Sequence, residues 1–382
     1  AATRKNGRQS EDAFPIVGIG ASAGGLAALK QFFANVPKDS GLAYVVVVHL
    51  SPEHKSHLAE LLQPHVKIPV QQVAETTELQ PNHVYVIPPN ANLDTIDTHL
   101  RLTELEQRRQ ERAPIDHFLR TLAKTHDGEA IGVILTGTGS DGTLGIREIK
   151  EQGGLVIVQD PNEAEYDGMP QSAIASGQVD WVLPVTKIPA AIGEFHGIET
   201  DLTVPLDGDN LSETAQQLLQ KIFAQIRART GRDFSRYKTA TVARRIQRRM
   251  QLRHVEQLTA YVDLLRRQPE EVADLADDLL VTVTSFFRDR AVFENLEKKI
   301  IPELFQGKHA DDDIRVWSVG CATGEEAYSL AMLLIEQAGK IEAPPRIQVF
   351  ASDLHEHSLA KAREGFYHGD IDPDVNDFNN GV

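Results

Sequence analysis

Cysteine is almost absent from this chain of 382 residues. The one present, Cys321, excludes a disulfide within the chain and suits a reducing compartment. Long apolar runs are missing too. No stretch approaches the roughly 18 apolar residues that a membrane span needs. The opening "AATRKNGRQSEDAF" has no apolar core, so it is no secretory signal and reads as a short disordered leader. Basic residues are in the minority, 39 Lys and Arg against 55 Asp and Glu. The formal net charge of −16 argues against general binding to nucleic acid or anionic membrane. The default compartment is the cytoplasm.

What remains is ordinary globular material, 41% apolar and 25% charged. The length exceeds what one hydrophobic core usually serves and predicts two or three domains. Over 14–196, strand-like and helix-like stretches alternate. "IVGIG" (16–20), "YVVVVHL" (44–50), "VYVI" (84–87), "IGVILTG" (131–137), "LVIVQD" (155–160) and "VDWVLP" (179–184) read as strands. Several are continuous Val/Ile/Leu runs, the pattern of strands covered on both faces of a parallel sheet. Helices are predicted over 24–36, 56–63, 115–126 and 141–152. "NLDTIDTHLRLTE" (92–104) reads as a hairpin with Asp97 and Thr98 near its turn. The first domain is therefore a doubly wound α/β fold. Residues 197–210 read as a linker. Residues 211–290 are helical in pattern, with Ser212 as a cap and Gly231 and Pro269 as breakers. Residues 291–382 begin another α/β unit, with strands "IRVWSVG" (314–320) and "RIQVFASD" (346–353), each followed by a helix. Two strands alone cannot close a Rossmann-like sheet.

The stretch "VGIGASAGGL" (17–26) fits two patterns. Gly18, Gly20 and Ala23 match the dinucleotide fingerprint G-x-G-x-x-G/A. Gly20, Ser22 and Gly24 match the nucleophile elbow G-x-S-x-G. The first pattern asks for an acid near the end of the second strand, to hold a ribose. His49 stands there instead, and it is suited to act as general base for Ser22. Asp141, in "LTGTGSDGTLG" (135–145), follows another strand end and could orient that histidine. Strand ends converge on one crevice in such sheets, so the three can meet. The plainer alternatives stay open. The glycines could serve only close packing, and Asp141 could only cap the next helix. His49, His54 and His57 invite a metal reading, but no nearby cysteine completes a ligand set and no metal site is expected.

Six stretches follow in one order: "VGIGASAGGLAALKQFF", "VVVVHLSPEHKSHLAELL", "VYVIPPN", "GVILTGTGSDGTLGIREIKEQGG", "VIVQDPNEAEYDGMPQSAI" and "VDWVLP". This order resembles the chemotaxis protein-glutamate methylesterases, the CheB family. The resemblance implies hydrolysis of glutamyl methyl esters on chemoreceptors with release of methanol, and glutamine deamidation as a second activity. It implies a triad of Ser22, His49 and Asp141, no cofactor, and an oxyanion site at the backbone amides of Ala23 and Thr138. Met169 in "DGMP" is given a structural role. The family's "GASTGG" reads "GASAGG" here, so Ala23 offers no hydroxyl, and the histidine often found after "VIPP" is missing.

"RYKTATVARRIQRRMQLR" (236–253) carries seven Lys and Arg and no acid, a local positive stripe in an acidic chain. No aromatic platform accompanies it, so nucleic acid is not the expected partner. A solvated helix face or the docking of an acidic protein surface are the other readings. "LADDLLVTVTSFFRDRAVFENL" (275–296) and "IRVWSVGCATGEEAYSLAMLL" (314–334) then resemble chemoreceptor methyltransferases, the CheR family. That resemblance implies that Arg244, Arg245, Arg248 and Arg249 face the acidic methylation region of a receptor. It implies S-adenosylmethionine at "GCATGEE", with Asp353 on the ribose, Glu325 at the methionyl end, and Thr284 and Arg288 lining the site. Thr282 stands where an asparagine is common. Because the later strands are not seen, S-adenosylmethionine binding is expected to be weak or absent in this chain. Cys321 is expected to be a small buried residue. A dinucleotide-binding oxidoreductase and a non-catalytic signalling scaffold are the rival readings.

Overall fold

Val- and Ile-rich runs without polar interruption can be satisfied only by cover on both faces, and the strands follow that rule. In a computed structural model, β1 (Ile16–Ala21) and β2 (Ala43–Val48) are buried along their whole length. The structure describes residues 14–49, 57–89, 91–104, 113–126, 128–198, 200, 202, 211–280 and 284–367. The expected leader lies outside them, as does most of the expected linker. Two compact units divide the chain between Leu279 and Leu280.

The first unit opens with β1, α1 (Gly25–Ala34), β2, α2 (Leu58–Leu62), β3 (Val70–Gln72), β4 (Thr76–Glu78) and β5 (His83–Val86). It continues with β6 (Ala91–Ile96), β7 (His99–Glu104), α3 (Pro114–Thr125), β8 (Ala130–Ile134) and α4 (Thr143–Glu151). Then come β9 (Leu155–Gln159), α5 (Gly168–Ala175), β10 (Trp181–Leu183) and α6 (Ile188–His196). Seven strands form one sheet in the order β10-β9-β8-β1-β2-β5-β3. Every pairing in it is parallel. From β1 the chain winds first to β2 on one side and returns later to β8 on the other. The direction of winding therefore reverses beside β1, the place where such sheets open a crevice at their strand ends.

The expected hairpin is β6–β7, turning at Asp97 and Thr98, with Asp97 in the left-handed region at φ 48. β4 joins it in a three-stranded antiparallel sheet. Strands β3 and β4 and helices α5 and α6 go beyond the sequence reading.

Gly18 and Gly20 have a steric reason to be glycine. A Cβ on Gly18 would stand 2.6 Å from Leu119 Cδ2, and one on Gly20 would collide with Ile115. Both neighbours belong to α3, which lies directly on β1 because these positions carry no side chain.

The helical segment comprises α7 (Glu213–Thr230), α8 (Thr239–Leu252), α9 (Leu258–Arg267) and α10 (Pro269–Leu279). The Ser212 side chain caps α7 by accepting from Ala215 N at 3.2 Å, and Gly231 ends the helix, as expected. Helix α8 corrects an expectation. Arg245, Arg248 and Arg249 are buried, at 7%, 4% and 9% exposure, and point inward. Arg248 Nε donates to Gly154 O at 3.1 Å, and Nη1 to Asp278 Oδ2 at 3.0 Å. Its Nη2 pairs with Asp180. Lys150 Nζ reaches the same Asp180 at 2.6 Å. Arg245 Nη2 donates to Glu151 O at 2.9 Å, and Arg249 grips Glu271 with both Nε and Nη2. These groups are consumed inside the unit and present no face to a receptor. Half-buried Arg244 is the least enclosed of the four.

Burial by itself would raise the Asp180 carboxyl. The charges of Arg248 and Lys150 outweigh it and hold the pKa down, at about 2. Glu151, Gly154 and Asp180 all precede the starts of β9 and β10. The helical segment is thus fastened at the end of the sheet opposite the crevice.

The second unit contains α11 (Arg290–Asn295), α12 (Ile301–Phe305), β11 (Asp313–Val319), α13 (Glu325–Ala338), β12 (Arg346–Ser352) and α14 (Glu356–Glu364). Strands β11 and β12 pair in parallel, as the alternation predicts. The unit begins earlier than the boundary read from sequence, because Phe286 and Phe287 join its core with Phe293, Phe305 and Leu333. Its strands are more open than those of the first unit, with Trp317 and Val319 about two-thirds exposed, at 66% and 67%. Cys321 is buried, and desolvation pushes its thiol pKa up, which fits a packing residue.

Candidate active site

Three strand ends bring the expected residues to one place. Ala21 pairs with Val48 in the β1–β2 register, and Ser22 and His49 are the next residue on each strand. Asp141 follows β8, the neighbour of β1 on the other side. His49 Nε2 lies 2.6 Å from Asp141 Oδ2. The His49 side chain is 36% exposed, while that of Asp141 is 7% exposed. The histidine thus faces the crevice and the carboxylate stands behind it.

Asp141 is held rigidly. Its Oδ2 also accepts from Ile115 N at 3.1 Å, and its Oδ1 accepts from Asp116 N at 2.9 Å. Both amides open helix α3, whose dipole favours an ionised acceptor there. Asp116 in turn accepts from Gly145 N at 2.7 Å, at the start of α4. Asp141 therefore does cap a helix, as the plainer reading allowed, but it caps α3 and holds His49 with the same carboxylate. An ionised carboxylate only accepts, so the His49 proton sits on Nε2 and leaves the Nδ1 lone pair available.

Ser22 is half-buried in the turn between β1 and α1. Its amide donates to Thr136 O at 3.0 Å, and its carbonyl accepts from Gly25 N at 2.9 Å. Gly24, at φ 74, caps α1 and makes the turn tight. Across the crevice, the 136–139 turn approaches closely. A Cβ on Gly137 would stand 2.9 Å from Ser22 Cβ and would strike Met169. Met169 is fully buried, and its amide donates to Gly137 O at 2.9 Å, so the structural role expected for it holds. Ala23 is half-buried beside Ser22, and exposed Thr138 follows Gly137.

Thr136, Gln159 and Tyr166 escaped the sequence reading. Gln159 was legible in principle, being a polar residue that ends a wholly apolar buried strand. His57 pairs with Glu60 at 2.9 Å, and His54 lies outside the described residues. Among the described residues no group of His, Cys, Asp and Glu could hold a metal ion. Nor is any helix among them long and apolar enough to cross a membrane.

In the second unit, Asp353 follows β12 and ties the β11–α13 turn. Its Oδ2 accepts from Ala322 N and its Oδ1 from His355 N, each at 2.8 Å. Lone pairs remain on both oxygens. Glu325, at 1% exposure, begins α13 and accepts from Thr323 Oγ1 at 2.5 Å. Thr284 is half-buried and Arg288 exposed, while Thr282 lies outside the described residues.

Residues 17–192 match the CheB methylesterase family. Residues 217–280 match the CheR methyltransferase all-alpha domain, and 282–376 the CheR methyltransferase SAM binding domain. A putative protein-glutamate methylesterase/protein-glutamine glutaminase of Leptospira interrogans is 35% identical over 196 residues, 51% of this chain and 96% of its own. An uncharacterized 104.1 kDa protein of Rhodobacter capsulatus is 37% identical over 339 residues, 83% of this chain. The chain spans only 35% of that relative's length. The crystal structure of the Thermotoga maritima CheB methylesterase catalytic domain is 34% identical, with a TM-score of 0.45, over 48% of this chain and 98% of that one. The chain belongs to the CheB protein-glutamate methylesterase family, and the two CheR methyltransferase domains follow in the same polypeptide.

Proposed function

We propose that the first unit hydrolyses glutamyl methyl esters on a chemoreceptor by a serine mechanism. The observation that carries this reading is the 2.6 Å bond between His49 and Asp141, with Ser22 and His49 each one residue past the paired Ala21 and Val48. His49 Nδ1 takes the proton from Ser22 Oγ as that oxygen attacks the ester carbonyl. The backbone amides of Ala23 and Thr138 hold the negative oxygen of the tetrahedral intermediate. His49 returns the proton to the leaving methoxide, and methanol departs. Water then attacks the glutamyl-serine ester with His49 as base, releasing the glutamate carboxylate and restoring Ser22. Asp141 stays ionised throughout and stabilises the imidazolium.

The Leptospira relative's name also includes a glutaminase. The same steps on a glutamine side chain release ammonia in place of methanol, so deamidation is the second activity we assign. In the second unit, Asp353 would hold the ribose hydroxyls of S-adenosylmethionine from its remaining lone pairs. Glu325, Thr284 and Arg288 are the other residues assigned to it. The cofactor supplies a transferable methyl group.

Replacing Ser22 by Ala tests the proposal. Methanol release from a receptor carrying methylated glutamate should fall by about 10³-fold or more, towards the rate that oxyanion donors and binding alone sustain. Activity unchanged in Ser22→Ala would sink it.

A further inference from the structure

We infer that Thr136 is a positioning residue that sets the oxyanion amides of the esterase, an inference that rests on the serine mechanism proposed above. Thr136 is 1% exposed and belongs to the turn after β8. Every polar group it owns is engaged. Its carbonyl accepts from Ser22 N at 3.0 Å. Its hydroxyl accepts from Tyr166 N at 2.9 Å and shares its proton between Ala23 O and Tyr166 O, each at 3.1 Å. Its amide donates to Gln159 Oε1 at 2.9 Å, and Gln159 is itself 3% exposed.

The partners matter more than their number. Ser22 N belongs to the peptide just before the Ser22–Ala23 peptide, and Ala23 O to the peptide just after it. The Ala23 amide assigned to the oxyanion lies in the peptide between them. Holding both flanks fixes the plane of the middle one, because each peptide unit is planar and only φ and ψ can turn. The second oxyanion amide, that of Thr138, lies in a peptide whose carbonyl accepts from Met169 N at 2.9 Å, and Thr136 acts on the peptide just before it. Gly137 N donates to Tyr166 O at 2.9 Å, and Tyr166 is bonded on both its amide and its carbonyl to the Thr136 hydroxyl. One hydroxyl thus fastens the turn after β1, the turn after β8 and the loop after β9. Gln159 holds Thr136 from behind.

A group with this task should act on the transition state and leave ground-state binding alone. Thr136→Val keeps the shape and removes the hydroxyl bonds, while Thr136→Ser keeps them. Both are read in the full chain by steady-state methanol release from a peptide carrying a glutamate methyl ester. Inhibition by a peptide boronic acid, which forms a tetrahedral anion on Ser22 Oγ, is measured alongside. Losing one oxyanion donor outright costs about 10²- to 10³-fold, so loosening two should lower kcat about 10- to 100-fold in Thr136→Val. KM should stay within about threefold, boronate affinity should fall in step with kcat, and Thr136→Ser should return to within about threefold of the parent. Thr136→Cys keeps a weak donor and should fall between Ser and Val, which keeps the test open should the valine variant not fold. The inference is overturned by a valine or cysteine variant with the parent kcat, by a serine variant as damaged as valine, or by a loss confined to KM. Full activity in a Ser22→Ala control would instead overturn the mechanism on which the inference rests.

Discussion

Arg248→Met separates docking of the helical segment from chemistry. The side chain removed is 4% exposed and joins Asp180, Asp278 and the carbonyl of Gly154. Removing one partner of a buried ion pair costs about 3–5 kcal/mol, because the other charge stays behind without compensation. Asp180 would keep Lys150 at 2.6 Å and the Val156 amide at 2.9 Å, which places the cost near the lower end, about 3 kcal/mol. In a unit of this size that corresponds to a fall in Tm of about 6–12 °C. Asp180→Asn should cost a similar amount. The double variant should cost clearly less than the two together, since the neighbours share one network. The assay is thermal and urea unfolding of all four proteins, with methanol release at a temperature where each is folded. Release should change less than about twofold, because the cluster lies at the starts of β9 and β10 while Ser22, His49 and Asp141 follow strand ends. Strictly additive losses, or a folded Arg248→Met that has lost hydrolysis, would refute the reasoning.

Two further outcomes follow. The Asp180 pKa is held at about 2, below its ordinary value of 3.8, so the stabilisation it brings is complete above about pH 4. That stabilisation, about 2 kcal/mol, should be lost as the pH falls towards 2, and acid unfolding of Asp180→Asn should lack this component. Gly20→Ala should destabilise by about 1–3 kcal/mol, read by urea unfolding, because the new methyl meets Ile115 of α3; an unchanged midpoint would mean that α3 does not pack against β1 as described.

The parts of the fold that were legible are those in which a single segment carries its own reason. β1, β2, β8 and β9 are continuous apolar runs, and no other environment accepts them. The meeting of Ser22, His49 and Asp141 could be read because parallel strands send their ends to one side. What escaped depends on distant partners. β3 reads VQQ and β4 TTE, short, polar and mostly exposed, and only the strands beside them make them strands. Thr136 looked like one more small residue in a glycine-rich turn. Its importance comes from Ala23, Gln159 and Tyr166, none of which is near it in sequence. The glycines of 17–26 carried two tasks in one stretch. Gly18 and Gly20 admit α3, and Gly24 shapes the turn at Ser22. A motif scan cannot separate these, because it does not know what lies across the strand.

The basic stripe of α8 was misread for a different reason, and a signal against the misreading was present. Arg245, Arg248 and Arg249 stand at spacings of three and four, which is the geometry of one helix face. Glu271, Asp274 and Asp278, three and four apart, line one face of α10 with opposite charge. Two complementary faces in one helical segment should be matched to each other before either is offered to a partner. The magnitudes agree. Freeing a buried guanidinium from its carboxylate costs about 3–5 kcal/mol, whereas a new pair at a wet interface returns about 0–1 kcal/mol. An acidic receptor surface cannot draw Arg245, Arg248 and Arg249 out of their network on those terms. Arg245 and Arg248 therefore hold the helical segment on the esterase, and Arg249 ties α8 to α10 through Glu271 and Asp274.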